Sequence, residues 1–170
     1  MSQIASGSFV AGWNRVEPAA QMEAAVAALA ALAQKEEVHL TLDVDAARDC
    51  TLYTDAARLR QVLGNLISNA IKFNRTGGSV TVWTQRMEPF LRIGVTGTGP
   101  GIPVERQTDL FRVFTQPGTE PGHVSGAGAG LALSQRMVEL LGGKIGFTSD
   151  ARNGTTFWVD VPLAFDAPPL

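Results

Sequence analysis

Val95-Thr96-Gly97-Thr98-Gly99-Pro100-Gly101-Ile102-Pro103 decides how the rest of this chain is read. Glycines at alternate positions let the backbone turn tightly and approach a ligand with no Cβ in the way. Prolines among them lock φ. Upstream, residues 79–86 and 90–96 alternate apolar and polar side chains around a turn at 87–89, the pattern of an antiparallel hairpin. Its second strand delivers the chain into the glycines. Downstream, residues 104–114 read as a helix. Residues 115–125 carry Pro117, Gly118, Pro121 and Gly122 with almost no apolar content, and read as a mobile loop. A second cluster, Ser125-Gly126-Ala127-Gly128-Ala129-Gly130-Leu131, then opens a helix running to 141. A helix N-terminus offers unpaired backbone N–H groups to an anion. Glycine runs are ordinarily loops, and neither cluster carries the lysine pattern of a Walker loop.

The helix expected before the hairpin gives the clusters their meaning. Thr54 or Asp55 caps it, and Leu59, Val62, Leu63, Leu66, Ile67, Ala70 and Ile71 form its buried stripe to residue 73. Asn65, Asn69 and Lys72 then share another face at i, i+4, i+7 spacing. Asparagine is a poor residue for a helix interior, so a plain solvated face is a weak account of the pair.

Further outward, residues 1–16 have Gly7 and Gly12 as breakers and no core pattern, and read as a linker. Pro18 starts a helix to about Lys35, with Met22, Val26, Leu29 and Ala33 on one face. Residues 38–44 alternate as a half-buried strand with His39 on the polar phase, and 50–53 read as a short second strand. Strands at 144–148 and 155–161 flank a turn at 151–154, and Pro-rich residues 165–170 form a tail. The expected fold is α+β: a two-layer sandwich with a mixed sheet of about five strands and helices on one face. Repeated βαβ units, as in a dinucleotide-binding fold, are lacking. The folded domain is expected over 17–164.

Composition narrows the chemistry. With 45% hydrophobic residues, 170 residues suffice for one domain with a sizeable core. A net charge of −2 implies no general attraction to nucleic acid or acidic membranes. Cys50 is the lone cysteine and His39 and His123 the only histidines, which excludes an internal disulfide and a multi-cysteine or His-rich metal cage. A reducing, cytoplasmic setting fits. The apolar stretch at 24–33 is too short to span a bilayer, and no signal peptide pattern appears at Met1.

As a set, the motifs resemble those of the ATP-binding catalytic domain of two-component sensor histidine kinases, in the gyrase, Hsp90, histidine kinase and MutL (GHKL, Bergerat-fold) superfamily. Leu59-Arg60-Gln61-Val62-Leu63-Gly64-Asn65-Leu66-Ile67-Ser68-Asn69-Ala70-Ile71-Lys72-Phe73 resembles the N box, and residues 95–103 the first glycine box. Asp109-Leu110-Phe111-Arg112-Val113-Phe114 resembles the F box and Gly126-Ala127-Gly128-Ala129-Gly130-Leu131-Ala132-Leu133 the second glycine box. Gly142-Gly143-Lys144-Ile145 and Gly154-Thr155-Thr156-Phe157 continue the pattern. The resemblance implies a phosphotransferase domain that binds ATP with Mg²⁺. Asn69 would ligate the metal, Asn65 would assist near it, Lys72 would approach the phosphates, and Phe73 would border the nucleotide. Gly97, Gly99, Gly101 and Ile102 would line the adenine end. Gly126, Gly128, Gly130 and Leu131 would line the phosphate end, with the 115–125 loop as a lid. ATP-hydrolysing cousins place a glutamate where this chain has Asn65, which argues against a stand-alone ATPase.

The resemblance also implies partners. Family kinases pass the γ-phosphoryl to a histidine on a separate dimerising helical hairpin, then to a response regulator in a phosphorelay. Neither His39 nor His123 lies in such a context. Met1-Ser2-Gln3-Ile4-Ala5-Ser6-Gly7 resembles the end of that hairpin's second helix. The chain is therefore expected to start just inside the dimerisation domain and not to autophosphorylate alone. Its expected partners are its own dimerisation domain, a response regulator or a partner kinase, with no nucleic acid and no direct membrane contact. The full-length protein is expected to be a homodimer, and any membrane anchor is expected outside this chain.

Two positions depart from the pattern. The first glycine box normally begins with Asp, whose carboxylate accepts from the adenine amino group, and here that position is Gly97. Losing such a bond costs roughly 1–3 kcal/mol, about ten- to a hundredfold in affinity. The lid reads Glu120-Pro121-Gly122-His123-Val124-Ser125, without the arginine that family lids commonly aim at the terminal phosphate. Three readings stay open at this point. One is an active kinase with relaxed adenine recognition. Another is a degenerate pseudokinase of the DivL type that regulates partners by docking. The third is an engineered Asp-to-Gly inactivation of an ordinary kinase.

Overall fold

The computed structural model describes residues 12–99, 126–150 and 154–164. The helix expected at 104–114, the lid at 115–125, the turn residues 151–153, the tail 165–170 and linker residues 1–11 lie outside them. Pro18 opens α1 (Pro18–Lys35), where its missing N–H costs no helical bond. Met22, Ala25 and Ala33 of α1 are buried, with Val26 and Leu29 half-buried against the same core. Strand β2 (His39–Leu42) follows, with His39 exposed as its polar phase requires. A 3₁₀ turn at Asp45–Ala47 leads to β3 (Leu52–Thr54) and then α2 (Ala56–Lys72). The hairpin is β4 (Ser79–Met87) and β5 (Phe90–Gly97). Helix α3 (Gly126–Leu140) and strands β6 (Lys144–Asp150) and β7 (Gly154–Pro162) complete the described chain.

Five strands form one mixed sheet in the order β2-β4-β5-β7-β6, in which β2 runs parallel to β4 and the other pairs are antiparallel. Its inner face is a ladder of Val80, Val82, Leu91, Ile93, Val95, Phe157 and Val159, all fully buried. Helix α2 packs against both α1 and α3 and lies over β4, β5 and β7. The expected two-layer α+β sandwich is therefore the observed one. On the helix-free face, Arg92 pairs through two nitrogens with Asp160, at 2.8 and 3.1 Å, and lies 3.9 Å above the Trp158 ring. The hydrogen bond to Asp160 raises the Arg92 pKa above its ordinary value, against the opposing effect of burial.

Helix α3 ends as its glycines dictate. Gly142 takes φ of 82°, its N–H bonds to Glu139 O at 3.1 Å, and the Gly143 N–H bonds to Val138 O at 2.9 Å. This paired closure satisfies carbonyls that the last turn would leave open.

The structure corrects two expectations. The linker is not structureless to residue 16: β1 (Asn14–Val16) pairs antiparallel with β3, and Val16 is buried in the core. The Gly12 N–H also bonds to Asp55 Oδ2 at 2.7 Å. The folded unit thus begins before residue 17. A three-residue strand is too short to display an alternating pattern, which is why composition misread it. The short strand expected at 50–53 begins two residues later and ends one later, and it joins β1 in a two-stranded sheet instead of the main one.

Candidate functional site

Helix α2 positions the site. Asp55 caps it, with Oδ1 accepting from Arg58 N at 3.1 Å, and its apolar stripe is buried as its periodicity demands. The three polar residues expected on one face differ in burial. Asn65 is half-buried, Asn69 is buried at 4% exposure, and Lys72 is exposed with no ion-pair partner among the described residues. Phe73 closes the helix and is exposed. The buried carboxamide of Asn69 is the anomaly. Its Nδ2 has no hydrogen-bond partner among the described residues. A buried, unsatisfied polar group costs about 1–3 kcal/mol, and such groups concentrate where a ligand completes the bonding. The carboxamide also carries an oxygen of the hard type that Mg²⁺ prefers. The donor set fits a magnesium nucleotide on both counts.

Asn65 reaches in another direction. Its Nδ2 donates to Ser134 Oγ on α3 at 3.0 Å, tying the helix of the first motif to the helix that follows the second glycine cluster.

The glycines at the end of β5 differ from one another in their reasons. A β-carbon on Gly99 would stand 2.5 Å from Phe73 O and 3.1 Å from Asn74 Cα, so only glycine lets the strand exit pass the end of α2. Gly97 is buried, yet a β-carbon there would meet Asn74 Nδ2 at 3.4 Å and Ala70 O at 3.5 Å. Those are ordinary contacts, and the backbone at 97 is not left-handed. Packing does not require glycine at 97. Around it, Asn74 Nδ2 donates to Ser79 O at 2.9 Å and the Ser79 N–H to Thr98 Oγ1 at 2.9 Å. Arg75 Nη2 donates to Thr98 O at 2.9 Å. This network fastens the end of α2 to the exit of β5.

The structure therefore brings Asn69, Phe73, Gly97 and Gly99 to one end of α2, and Asn65 to α3. Gly126 and Gly128 fall in the first turn of α3 and Gly130 at the start of the second. Leu131 is fully buried in the core cluster, so it serves the site by seating α3. Gly101, Ile102 and His123 lie outside the described residues. Among the described residues, no group of three His, Cys, Asp or Glu side chains offers another metal cage. Sequence reasoning missed Ser134 and the Asn74–Thr98 network. Asn74 before Gly77-Gly78 signals a turn, but nothing local marks its reach to β4.

Comparison with known proteins gives concordant matches. A family model described as "Histidine kinase-, DNA gyrase B-, and HSP90-like ATPase" matches residues 54–164. The chain is 35% identical over 168 residues, 96% of its length, to the virulence sensor protein BvgS of Bordetella bronchiseptica. It is 44% identical over 112 residues, 62% of its length, to the sensor histidine kinase AruS of Pseudomonas aeruginosa. The matches cover only 14% and 11% of those two relatives. The fold is shared with the solved structure of full-length ShkA in complex with AMPPNP, at a TM-score of 0.80 and 24% identity, covering 99% of this chain and 35% of that one.

Proposed function

We propose, for a chain that belongs to the family of histidine kinase-, DNA gyrase B- and HSP90-like ATPases, that it is the nucleotide-binding catalytic domain of a two-component sensor histidine kinase with weakened adenine recognition. The domain presents the γ-phosphoryl of ATP to an acceptor residue on a separate dimerisation domain, and a response regulator receives it next. The observation that carries this reading is the buried Asn69 carboxamide with its unsatisfied nitrogen on the helix that faces both glycine clusters. Asn69 would hold Mg²⁺ through its carboxamide oxygen, and Lys72 would meet phosphate oxygens. Backbone N–H groups at the N-terminal end of α3, around Gly126 and Gly128, would donate to further phosphate oxygens. Bound Mg²⁺ would neutralise charge on the phosphates. Phe73, Gly97 and Gly99 would border the base.

Two features of the chain shape the chemistry. Position 65 is a carboxamide, which cannot take a proton from water as a carboxylate can. The site therefore favours transfer to an external acceptor over hydrolysis. Position 97 offers no carboxylate to the adenine amino group, so base recognition rests on shape and water. The described residues contain no helix long and apolar enough to cross a membrane.

Calorimetric titration with ATP, with and without Mg²⁺, tests the reading. Weak binding, above micromolar, that strengthens with Mg²⁺ is the expected result. Micromolar or tighter binding refutes the weakened recognition. No binding at millimolar nucleotide refutes the nucleotide-binding reading and leaves docking to partners as the function of the fold.

A further inference from the structure

We infer that Ser134 is a positioning residue that sets which end of the Asn65 carboxamide faces α3, and so tunes the metal dependence of the cleft. The inference rests on the nucleotide-binding reading above. Ser134 is fully buried on α3, between the buried apolar residues Leu131 and Ala132 on one side and Met137 and Val138 on the other. A hydroxyl in such a setting is costly unless bonded. Its partner is Asn65 Nδ2, at 3.0 Å and 69 residues away in sequence.

Ser134 Oγ is the acceptor of that bond, and an acceptor selects the amide nitrogen over the amide oxygen. With nitrogen turned to α3, the carboxamide oxygen points away from it. That is the atom able to interact with a cation or with water bound to one. The same bond couples α3, whose N-terminal end carries Gly126, Gly128 and Gly130, to the polar side of α2. Outer hydrogen bonds of this kind orient groups around a metal, and their loss typically lowers metal affinity about 10- to 100-fold.

The test compares Ser134→Ala with the parent chain in nucleotide titrations followed by amide NMR, which reads weak binding. Each is titrated with ATP in excess Mg²⁺ and again in EDTA. The Mg²⁺ concentration giving half of the metal-dependent gain should rise about tenfold in Ser134→Ala. Affinity in EDTA should stay within about twofold, since the hydroxyl acts on the metal and not on the base. Without nucleotide, the side-chain NH₂ resonances of Asn65 should move in Ser134→Ala. Adding Asn65→Asp to Ser134→Ala should recover the metal dependence, because the two oxygens of a carboxylate are equivalent and orientation ceases to matter. An unchanged Mg²⁺ midpoint overturns the inference. Equal losses with and without metal also overturn it, since they mark a purely structural role. If the parent chain itself shows no Mg²⁺-dependent nucleotide binding, the nucleotide-binding reading fails first and the inference falls with it.

Discussion

Gly97→Asp tests the proposed weakening of recognition at the adenine end. A β-carbon at 97 would lie 3.4 Å from Asn74 Nδ2, 3.5 Å from Ala70 O and 3.7 Å from Ala70 Cβ, so a β-carbon enters at ordinary contact distances. Residue 97 pairs with Val80 on β4 and Thr155 on β7, so these neighbouring strands limit backbone movement at 97. A hydrogen bond to a charged acceptor contributes about 1.5–3 kcal/mol, or about 10- to 150-fold in affinity. Part of that is offset by desolvating the new carboxylate and releasing water that already serves the base, so a gain of at least about tenfold is expected. The gain should be confined to ATP. Guanine presents an oxygen where adenine presents its amino group, and a carboxylate repels it. Gly97→Ala supplies the control: it adds the β-carbon without the acceptor and should change affinity by less than about twofold. Titration calorimetry on the three proteins with ATP and GTP, beside their thermal midpoints, reads the result. A folded Gly97→Asp protein with no gain for ATP, or with an equal gain for GTP, refutes the account of this position.

Other substitutions separate fold from site. Asn69→Leu replaces an unsatisfied buried carboxamide by an apolar group of similar size. Thermal stability without nucleotide should be unchanged or higher by about 1 kcal/mol, while Mg²⁺-dependent nucleotide binding should vanish; retained binding would remove Asn69 from the metal site. Asp55→Ala removes both the cap on Arg58 N and the tie to Gly12 N–H. It should cost about 1–3 kcal/mol and lower the melting midpoint by about 2–12 °C. Amide exchange at residues 12–16 should rise more than in the core strands if the tie holds the linker. Gly99→Ala forces a β-carbon to 2.5 Å from Phe73 O and should destabilise the domain by about 1–3 kcal/mol in urea unfolding. A neutral outcome there would mean that the exit of β5 is not held against α2.

How much of this was legible in the sequence follows from the range over which each feature is encoded. Helix α2 and the β4–β5 hairpin were readable because their burial repeats within a few residues: Leu59, Val62, Leu63 and Leu66 on one, Leu91, Ile93 and Val95 on the other. Strand β1 was not, since three residues carry no period and Val16 is its one core side chain. The Asn65–Ser134 bond spans 69 residues, and no local pattern announces it. The burial of Asn69 was equally hidden, because helical spacing gives its direction but not what lies opposite.

Gly97 and Gly99 draw the distinction most sharply. In sequence they are equivalent members of one glycine run. In the fold, Gly99 is required by the approach of a backbone carbonyl, while Gly97 has room for a β-carbon. A β-carbon at 99 is therefore opposed by the end of α2, and one at 97 is not. A chain of this fold can lose its adenine contact at 97 without any strain on β4, β5 or α2 to expose the loss. The consequence proposed for Gly97 is therefore read in nucleotide affinity and not in stability.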